Sequence, residues 1–209
     1  MSEFGQRCGS VVRRGEPGDF VGVARLLGAA FEGDGLAQWT HPAERVREWQ
    51  LRRVFGASAR GIRAAGDGVD VVSEATGRVV AGALWANPHR LPPRAGWLDR
   101  VNTRLAYGFR VRRAMKATTL IWQANVEEPH WHLLAVGTAE HARGRGYGAA
   151  LVEYGLERCR NEGVAAHLET ANAGDVPYFE RFGFAVSGVL DLPGKGPRVW
   201  LMRSAAGTS

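Results

Sequence analysis

Arg143-Gly144-Arg145-Gly146-Tyr147-Gly148 lies between a strand-like run, Trp131-His132-Leu133-Leu134-Ala135-Val136, and a helical run from Ala149 to Glu162. Three glycines between a strand and a helix let the backbone come close to a bulky anion. The helix start aims free N–H groups and the positive end of its dipole at that anion. Arg143 and Arg145 add fixed positive charge that forks onto phosphate oxygens. The segment reads as a pyrophosphate cradle. A glycine-rich turn with no ligand is the plain alternative, and two arginines inside the turn argue against it.

The loop is not a P-loop, because no Gly-Lys-Ser/Thr closes it. Gly144, Gly146 and Ala149 satisfy G-x-G-x-x-A, so a nicotinamide dinucleotide oxidoreductase stands as one alternative. A dinucleotide fold places this turn after its first strand, whereas here about two-thirds of the chain precedes it. The arginine before the first glycine fits R-x-x-G-x-G better, with Arg143, Gly146 and Gly148 in the fixed positions.

Composition narrows the class. The 209 residues suit one domain, read here as a single domain over 1–209 with a helical insertion at about 87–129. No apolar run reaches the roughly 18 residues that span a bilayer, and Met1 to Arg7 shows no apolar signal-peptide core. A cytoplasmic protein with no membrane partner is expected. Cys8 and Cys159 are too few and too far apart for a disulfide framework or a metal site. Cys159 follows Ala149, Val152 and Leu156 at helical spacing and reads as a small core residue. The formal charge is +6, and only Lys116 and Lys195 among the basic residues are lysine. Arg90, Arg94, Arg100, Arg104, Arg110, Arg112, Arg113 and Lys116 face a single nearby acid, Asp99. That cluster suits coenzyme phosphates, an acidic partner, nucleic acid or a solvated helix face. No nucleic-acid partner is expected.

Outward from the cradle, the periodicities order the rest of the chain. Ser10–Arg14 predicts a first strand. Asp19 is the expected N-cap of a helix with Phe20, Val23, Leu26, Leu27, Ala30 and Phe31 on one face. Gly33-Asp34-Gly35 interrupts it, and Pro42 opens a second helix. Val69–Ser73 and Arg78–Trp85, joined by Thr76-Gly77, predict a hairpin. Trp97, Val101, Leu105 and Phe109 recur every four residues and predict an amphipathic helix, while Met115 to Val126 has no clear assignment. After the cradle helix, Gly163 is the expected terminator. Ala165–Thr170 predicts a strand and Asp175–Phe182 a short helix. Phe184–Val189 and Arg198–Arg203 predict two last strands around Pro193–Pro197.

This order, together with Arg143-x-x-Gly146-x-Gly148, Leu168-Glu169-Thr170 and Phe179-Glu180-Arg181-Phe182-Gly183-Phe184, resembles the GNAT N-acetyltransferase superfamily. The similarity is clearest from Trp131 to Arg203. Gly196-Pro197-Arg198-Val199-Trp200-Leu201-Met202 looks especially like the puromycin N-acetyltransferase branch. The resemblance implies a mixed α/β (α+β) fold with a mostly antiparallel sheet flanked by helices. It implies acetyl-CoA as cosubstrate, no metal, and direct attack of an amine on the thioester in a ternary complex. The implied cofactor-binding residues are Val136, Gly137 and Thr138 on the cradle strand, and Arg143, Gly144, Arg145, Gly146, Tyr147 and Gly148 in the cradle. Asn172 and Phe179 complete the set. In this fold the cradle strand and the next strand splay apart, often at a bulge, and Gly137 suits a bulge.

One departure concerns the acid. Many members carry a tyrosine four residues before the glycine of the last Gly-Phe pair, thought to protonate the departing thiolate. Counted back from Gly183, that position is Phe179, with Tyr178 beside it. Adjacent helical residues point about 100° apart, so three routes stay open: a shifted helix that uses Tyr178, water, or an acid elsewhere. For the base, His132 has a suitable intrinsic pKa, Glu169 is a second candidate, and a water relay is a third. Trp85, Trp97, Trp122 and Trp131 are candidate walls of an acceptor pocket, with Glu127 and Glu128 placed to attract a cationic amine. Each tryptophan reads equally well as core packing. The acceptor expected is a small-molecule primary amine, an antibiotic or other xenobiotic. A protein or peptide amine is the main alternative within the enzyme class, and a non-catalytic CoA-binding module lies outside it. Monomer and homodimer are both compatible with the sequence.

Overall fold

The computed structural model describes residues 12–66, 68–87, 105–107, 111–124 and 130–206. Its strands are β1 Val12–Arg14, β2 Gly68–Ser73, β3 Val79–Ala86, β4 His130–Thr138, β5 Ala165–Thr170, β6 Phe184–Asp191 and β7 Arg198–Ser204. They form one seven-stranded sheet in the order β1-β2-β3-β4-β5-β7-β6. Every neighbouring pair is antiparallel except β4 and β5. The helices are α1 Phe20–Ala30, α2 Gly35–Thr40, α3 Glu44–Ala64, α4 Val111–Ala124, α5 Tyr147–Asn161 and α6 Val176–Glu180. This is the mixed α/β architecture expected from the sequence.

The sheet is buried on both faces. Leu151, Val152 and Leu156 of α5 pack on Trp85, Leu133, Leu168 and Met202. Val23 and Leu27 of α1, with Phe55 and Ile62 of α3, pack on Val71, Leu84 and Ala135. A third, smaller cluster joins Ala117 and Ile121 of α4 to Leu192, Val199 and Leu201, with Leu36 and Trp39 of α2 against it.

The β3–β4 ladder shifts register between Leu84, opposite Ala135, and Trp85, opposite Leu133, so Leu134 is an extra residue. This bulge turns the strand over. Leu133 joins the core beneath α5, whereas Ala135 joins the core beneath α1 and α3. Gly137, the position expected to bulge, instead sits in regular register opposite Gly82. Its need for glycine is close approach of α1: a Cβ there would lie 2.9 Å from Leu27 Cδ2 and 3.2 Å from Ala30 Cβ.

Several local expectations are corrected. Asp19 does not cap α1 with its side chain. Its carboxylate accepts from Arg13 Nη1 and Nη2 at 2.7 and 3.0 Å and from the Glu16 amide at 2.8 Å. The Gly33–Gly35 break begins a separate short helix, α2, with Asp34 Oδ1 accepting from the Ala37 amide at 2.8 Å. α3 then starts at Glu44, just past Pro42. The cradle helix begins at Tyr147, two residues before Ala149, and Gly163, at φ +66°, follows its end as expected. Residues 105–107 are helical, and the rest of the stretch from Trp97 to Phe109 lies outside the described residues. The segment without a sequence assignment, Met115 onward, belongs to α4 as far as Ala124.

Helix α5 is clamped to the sheet by one buried ion pair. Arg158 Nη2 donates to Asp70 Oδ2 of β2 at 2.5 Å, and Asp70 is fully buried. Burial pushes the Asp70 carboxyl up, and the Arg158 charge and hydrogen bond pull it back. The same guanidinium lies 4.8 Å over the Trp131 ring, whose indole N–H donates to Glu162 at 2.7 Å.

Candidate active site

The cradle begins where β4 ends. A short 3-10 turn, Glu140–Ala142, leads to Arg143 in extended conformation. Gly144 and Gly146 then adopt φ +76° and +79°, which L side chains rarely reach, and nothing lies within 4 Å of a Cβ placed on either. Gly146 is the N-cap of α5 and supplies no side-chain cap. The first amides of the helix therefore face an open, concave backbone. Arg143 and Arg145 are both exposed, whereas the Tyr147 side chain is buried in the core beneath α5. Tyr147 thus has only its backbone to offer a ligand.

Strands β4 and β5 pair in parallel from His130–Ala165 to Leu133–Leu168 and no further. Beyond that rung β4 continues to Thr138 on the β3 side alone. The β5-side edge of Leu134 to Thr138, which includes Val136, Gly137 and Thr138, is free of ladder bonds. Leu134, in the mouth of this gap, is 41% exposed.

The rung just before the gap carries the titratable groups. His132 stands opposite His167, and Glu169 is two residues beyond His167 on the same strand, so all three project from one face. His132 Nε2 lies 2.6 Å from Glu169 Oε2. The two candidate bases are thus one hydrogen-bonded pair. Burial opposes the charged imidazolium of His132, but the Glu169 charge and hydrogen bond outweigh it and raise its pKa above the ordinary value. His167 was not singled out by the sequence. It is 1% exposed, and burial pushes its pKa down to about 4, so its ring is neutral. The alternation His167-x-Glu169 on a strand was the signal available; the parallel register that brings it to His132 was not.

Tyr178 and Phe179 divide their roles. Phe179 is buried and packs edge-on to Phe184, with ring centroids 6.0 Å apart. The Tyr178 hydroxyl points to the first turn of α5. It lies 3.2 Å from where a Cβ on Gly148 would be, and Thr138 Oγ1 lies 3.5 Å from the same point. Burial raises the Tyr178 pKa, with the Arg181 charge opposing and Asp175 and Glu153 adding to the rise. The phenol is therefore held protonated. Asn172 accepts from the Gly174 amide at 3.0 Å and donates to Asp175 at 3.1 Å, so its side chain caps the turn before α6.

The tryptophan wall is corrected in part. Trp85 is fully buried under α5, where a Cβ on Gly155 would run into its indole. Trp131 is 2% exposed beneath Arg158. Neither lines an open pocket, because both fill the sheet–helix interface. Trp97, Glu127 and Glu128 lie outside the described residues, as does the Trp122 side chain. On the acceptor side, α2 starts against the end of β5 and the β6–β7 turn: a Cβ on Gly35 would lie 3.6 Å from Pro197 Cβ and 3.7 Å from the Ala171 carbonyl. Asp34, at that start, has its pKa raised by burial, against the pull of the Ala37 and Leu36 amides, with Asp175 adding to the rise.

A parted parallel strand pair that leads into an uncapped, glycine-lined helix start is an arrangement suited to an anion, here set in a mixed α/β fold. A family model described as "Acetyltransferase (GNAT) family" matches residues 37–184, and the chain belongs to that family. An uncharacterised N-acetyltransferase of Schizosaccharomyces pombe is 33% identical over 58 residues, 28% of this chain and 24% of that protein. The match thus spans about a quarter of the curated relative's length. Among solved structures, a Corynebacterium glutamicum protein described as histone acetyltransferase HPA2 and related acetyltransferase superposes with TM-score 0.70 at 22% identity, covering 96% of this chain and 98% of that one. The Drosophila melanogaster polyamine N-acetyltransferase that forms N-acetylagmatine superposes with TM-score 0.56 at 19% identity, covering 94% and 99%. Among the described residues no helix is long and apolar enough to cross a membrane.

The His132–Glu169 pair has a measurable signature. His132 should titrate above the ordinary imidazole value of about 6.5 in an NMR pH titration. Glu169→Gln removes the charge that holds the imidazolium, leaves burial to act alone, and should bring that midpoint below about 6.5. An unchanged midpoint in the variant would mean that Glu169 does not set it.

Proposed function

We propose that this protein uses acetyl-CoA to acetylate a primary amine of a small molecule. The observation that supports this most directly is the hydrogen-bonded His132–Glu169 pair standing at the rung where β4 and β5 part. Acetyl-CoA, when bound, supplies the acetyl group as a thioester. The residues present fit it: Gly144 and Gly146 keep the cradle open, the first amides of α5 and the two arginines answer its phosphates, and the free edge of β4 answers its amides. Asn172 and Phe179 contribute through capping and packing rather than by direct contact.

His132, as the neutral imidazole, accepts the proton that an ammonium acceptor must lose, and Glu169 orients the ring and raises its basicity. Tyr178, with its protonated hydroxyl over the first turn of α5, is the donor to the departing sulfur. Cys159, the cysteine among the described residues, is buried, and burial pushes its thiol up to about 12. It offers no thiolate to carry the acetyl group, which supports direct transfer. The small-molecule reading rests on the cover that α2 and α4 form over β6 and β7, on the acidic Asp34 beside β5, and on the puromycin-type end of the chain, Gly196 to Met202. That end is also the ground for a xenobiotic acceptor.

Three measurements test the reading. In calorimetry, Arg143→Ala and Arg145→Ala should each weaken acetyl-CoA binding about tenfold, near the 1.5 kcal/mol lower end for charged hydrogen bonds, because both side chains start exposed. A double variant that binds like the parent removes the cradle assignment, and preference for a nicotinamide dinucleotide would redirect the whole reading. Tyr178→Phe should lower kcat by roughly 10²–10⁴ with acetyl-CoA affinity intact; an unchanged kcat leaves protonation to water. A thiol-release assay over amine antibiotics, polyamines, amino acids and peptides should show turnover with small primary amines. Turnover confined to peptide amines overturns the small-molecule assignment, and tight CoA binding with no turnover overturns the enzyme assignment.

A further inference from the structure

His132, His167 and Glu169 each bring one ligand atom within 4.8 Å of the others. Register is the cause, since a parallel rung sets the two imidazoles side by side and the strand period returns the carboxylate to the same face. Glu169 uses both oxygens inward: Oε2 is 2.6 Å from His132 Nε2, and Oε1 is 3.6 Å from His167 Nδ1. The second distance is too long for a hydrogen bond. His167 is 1% exposed, and neither of its ring nitrogens has a hydrogen-bond partner among the described residues. A buried imidazole with two unpartnered nitrogens, one aimed at a carboxylate, is a vacant donor set rather than a satisfied core residue. The cluster reaches solvent through His132 and Glu169, whose side chains are 20% and 12% exposed.

Two imidazoles and one carboxylate are the protein ligands of zinc sites that keep an open position. Imidazole suits zinc, copper and nickel, whereas magnesium and calcium require oxygen ligands. We propose that His132, His167 and Glu169 bind a divalent transition-metal ion of the zinc class, and that the bound ion stops acetyl transfer, because an imidazole held to the metal through Nε2 carries its proton on Nδ1 and can no longer take the amine's. Binding replaces the His132–Glu169 hydrogen bond with two ligand bonds, moves the His132 ring proton from Nε2 to Nδ1 and changes no oxidation state. The inhibitory half rests on His132 being the base, as proposed above; the binding half does not.

Cobalt(II) is the probe, because its visible bands report coordination without substrate. Titrating the full chain at neutral pH should give one bound Co²⁺ per chain, displaced by one equivalent of Zn²⁺. His167→Phe fills the same buried space without ligand atoms, and Glu169→Gln removes the carboxylate. Each should weaken binding by at least the roughly 10–100-fold that follows loss of a mere outer partner of a metal ligand. If His167→Phe fails to fold by circular dichroism, Glu169→Gln carries the test. Zn²⁺ should abolish acetyl transfer by the parent, and EDTA should restore it. No stoichiometric Co²⁺ band, or parent-like binding in the folded variants, overturns the site. Binding without loss of acetyl transfer overturns the inhibition. Absence of any acetyl transfer by the metal-free chain sinks the proposed function and leaves the cobalt result to decide the site alone.

Discussion

Strands β4 and β5 run side by side for four rungs and then separate, and the site proposed for this chain depends on that separation. A parallel pair has no hairpin to hold it together, so its register is fixed by the crossover helix α5 and by what packs beneath it. On the β3 side, the extra residue Leu134 twists β4 just past the last shared rung. The two effects coincide in space. The strand turns its side chains over at the point where it loses its neighbour, and backbone groups from Leu134 to Thr138 are released next to the imidazole–carboxylate pair.

The opening stays fixed because helices grip opposite faces of the β3–β4 pair at short range. Gly137 lets α1 approach until a methyl group would meet Leu27 and Ala30, and Gly155 lets α5 approach until one would meet the Trp85 indole. The Asp70–Arg158 pair adds register between α5 and β2 rather than net stability, since burying two charges offsets most of their attraction. The cradle at the head of α5 is thereby held at a set distance from His132, although its own glycines are conformationally free. The candidate proton-transfer groups thus sit on rigid elements, and the candidate anion cradle sits on a loop.

The sequence was legible where the chain speaks locally. Helical spacing located α1, α5 and their apolar faces, and Thr76-Gly77 located the β2–β3 hairpin. The glycine-rich turn before α5 followed from residue type, whereas the positive φ at Gly144 and Gly146 came from the structure. Cys159 could be assigned to the core from its spacing along one helix. What could not be read was set by tertiary register. No local pattern places the bulge at Leu134 rather than Gly137, because either residue tolerates it; Gly137 stays in register beneath α1, and the exposed Leu134 takes the extra position. Nor does spacing reveal that His132 and Glu169 are partners, since residues 37 positions apart meet only through the parallel pairing. Trp85 and Trp131 illustrate the same limit. An aromatic residue near a site wall and one beneath it have the same sequence signature, and burial alone separates them.

The phase of α6 separates two residues that sequence counting leaves side by side. Counting from Gly183 places Phe179 where an acid is expected, but the 3-10 turn Ala173–Asp175 before α6 sets the helix so that Phe179 faces the core and Tyr178 faces α5. A short helix entered through a tighter turn can shift which residue faces a site without any insertion. The requirements on the opposite side of the reaction then become clear. A base that works on an amine must present a neutral, partly desolvated nitrogen, held in place by a carboxylate, toward the gap. Those properties also make a nitrogen attractive to a late transition ion, and here a second unpartnered imidazole stands beside it. On the proposed reading, the geometry that suits His132 to accept a proton also suits it to bind a metal, and His167 is the residue that separates the two properties.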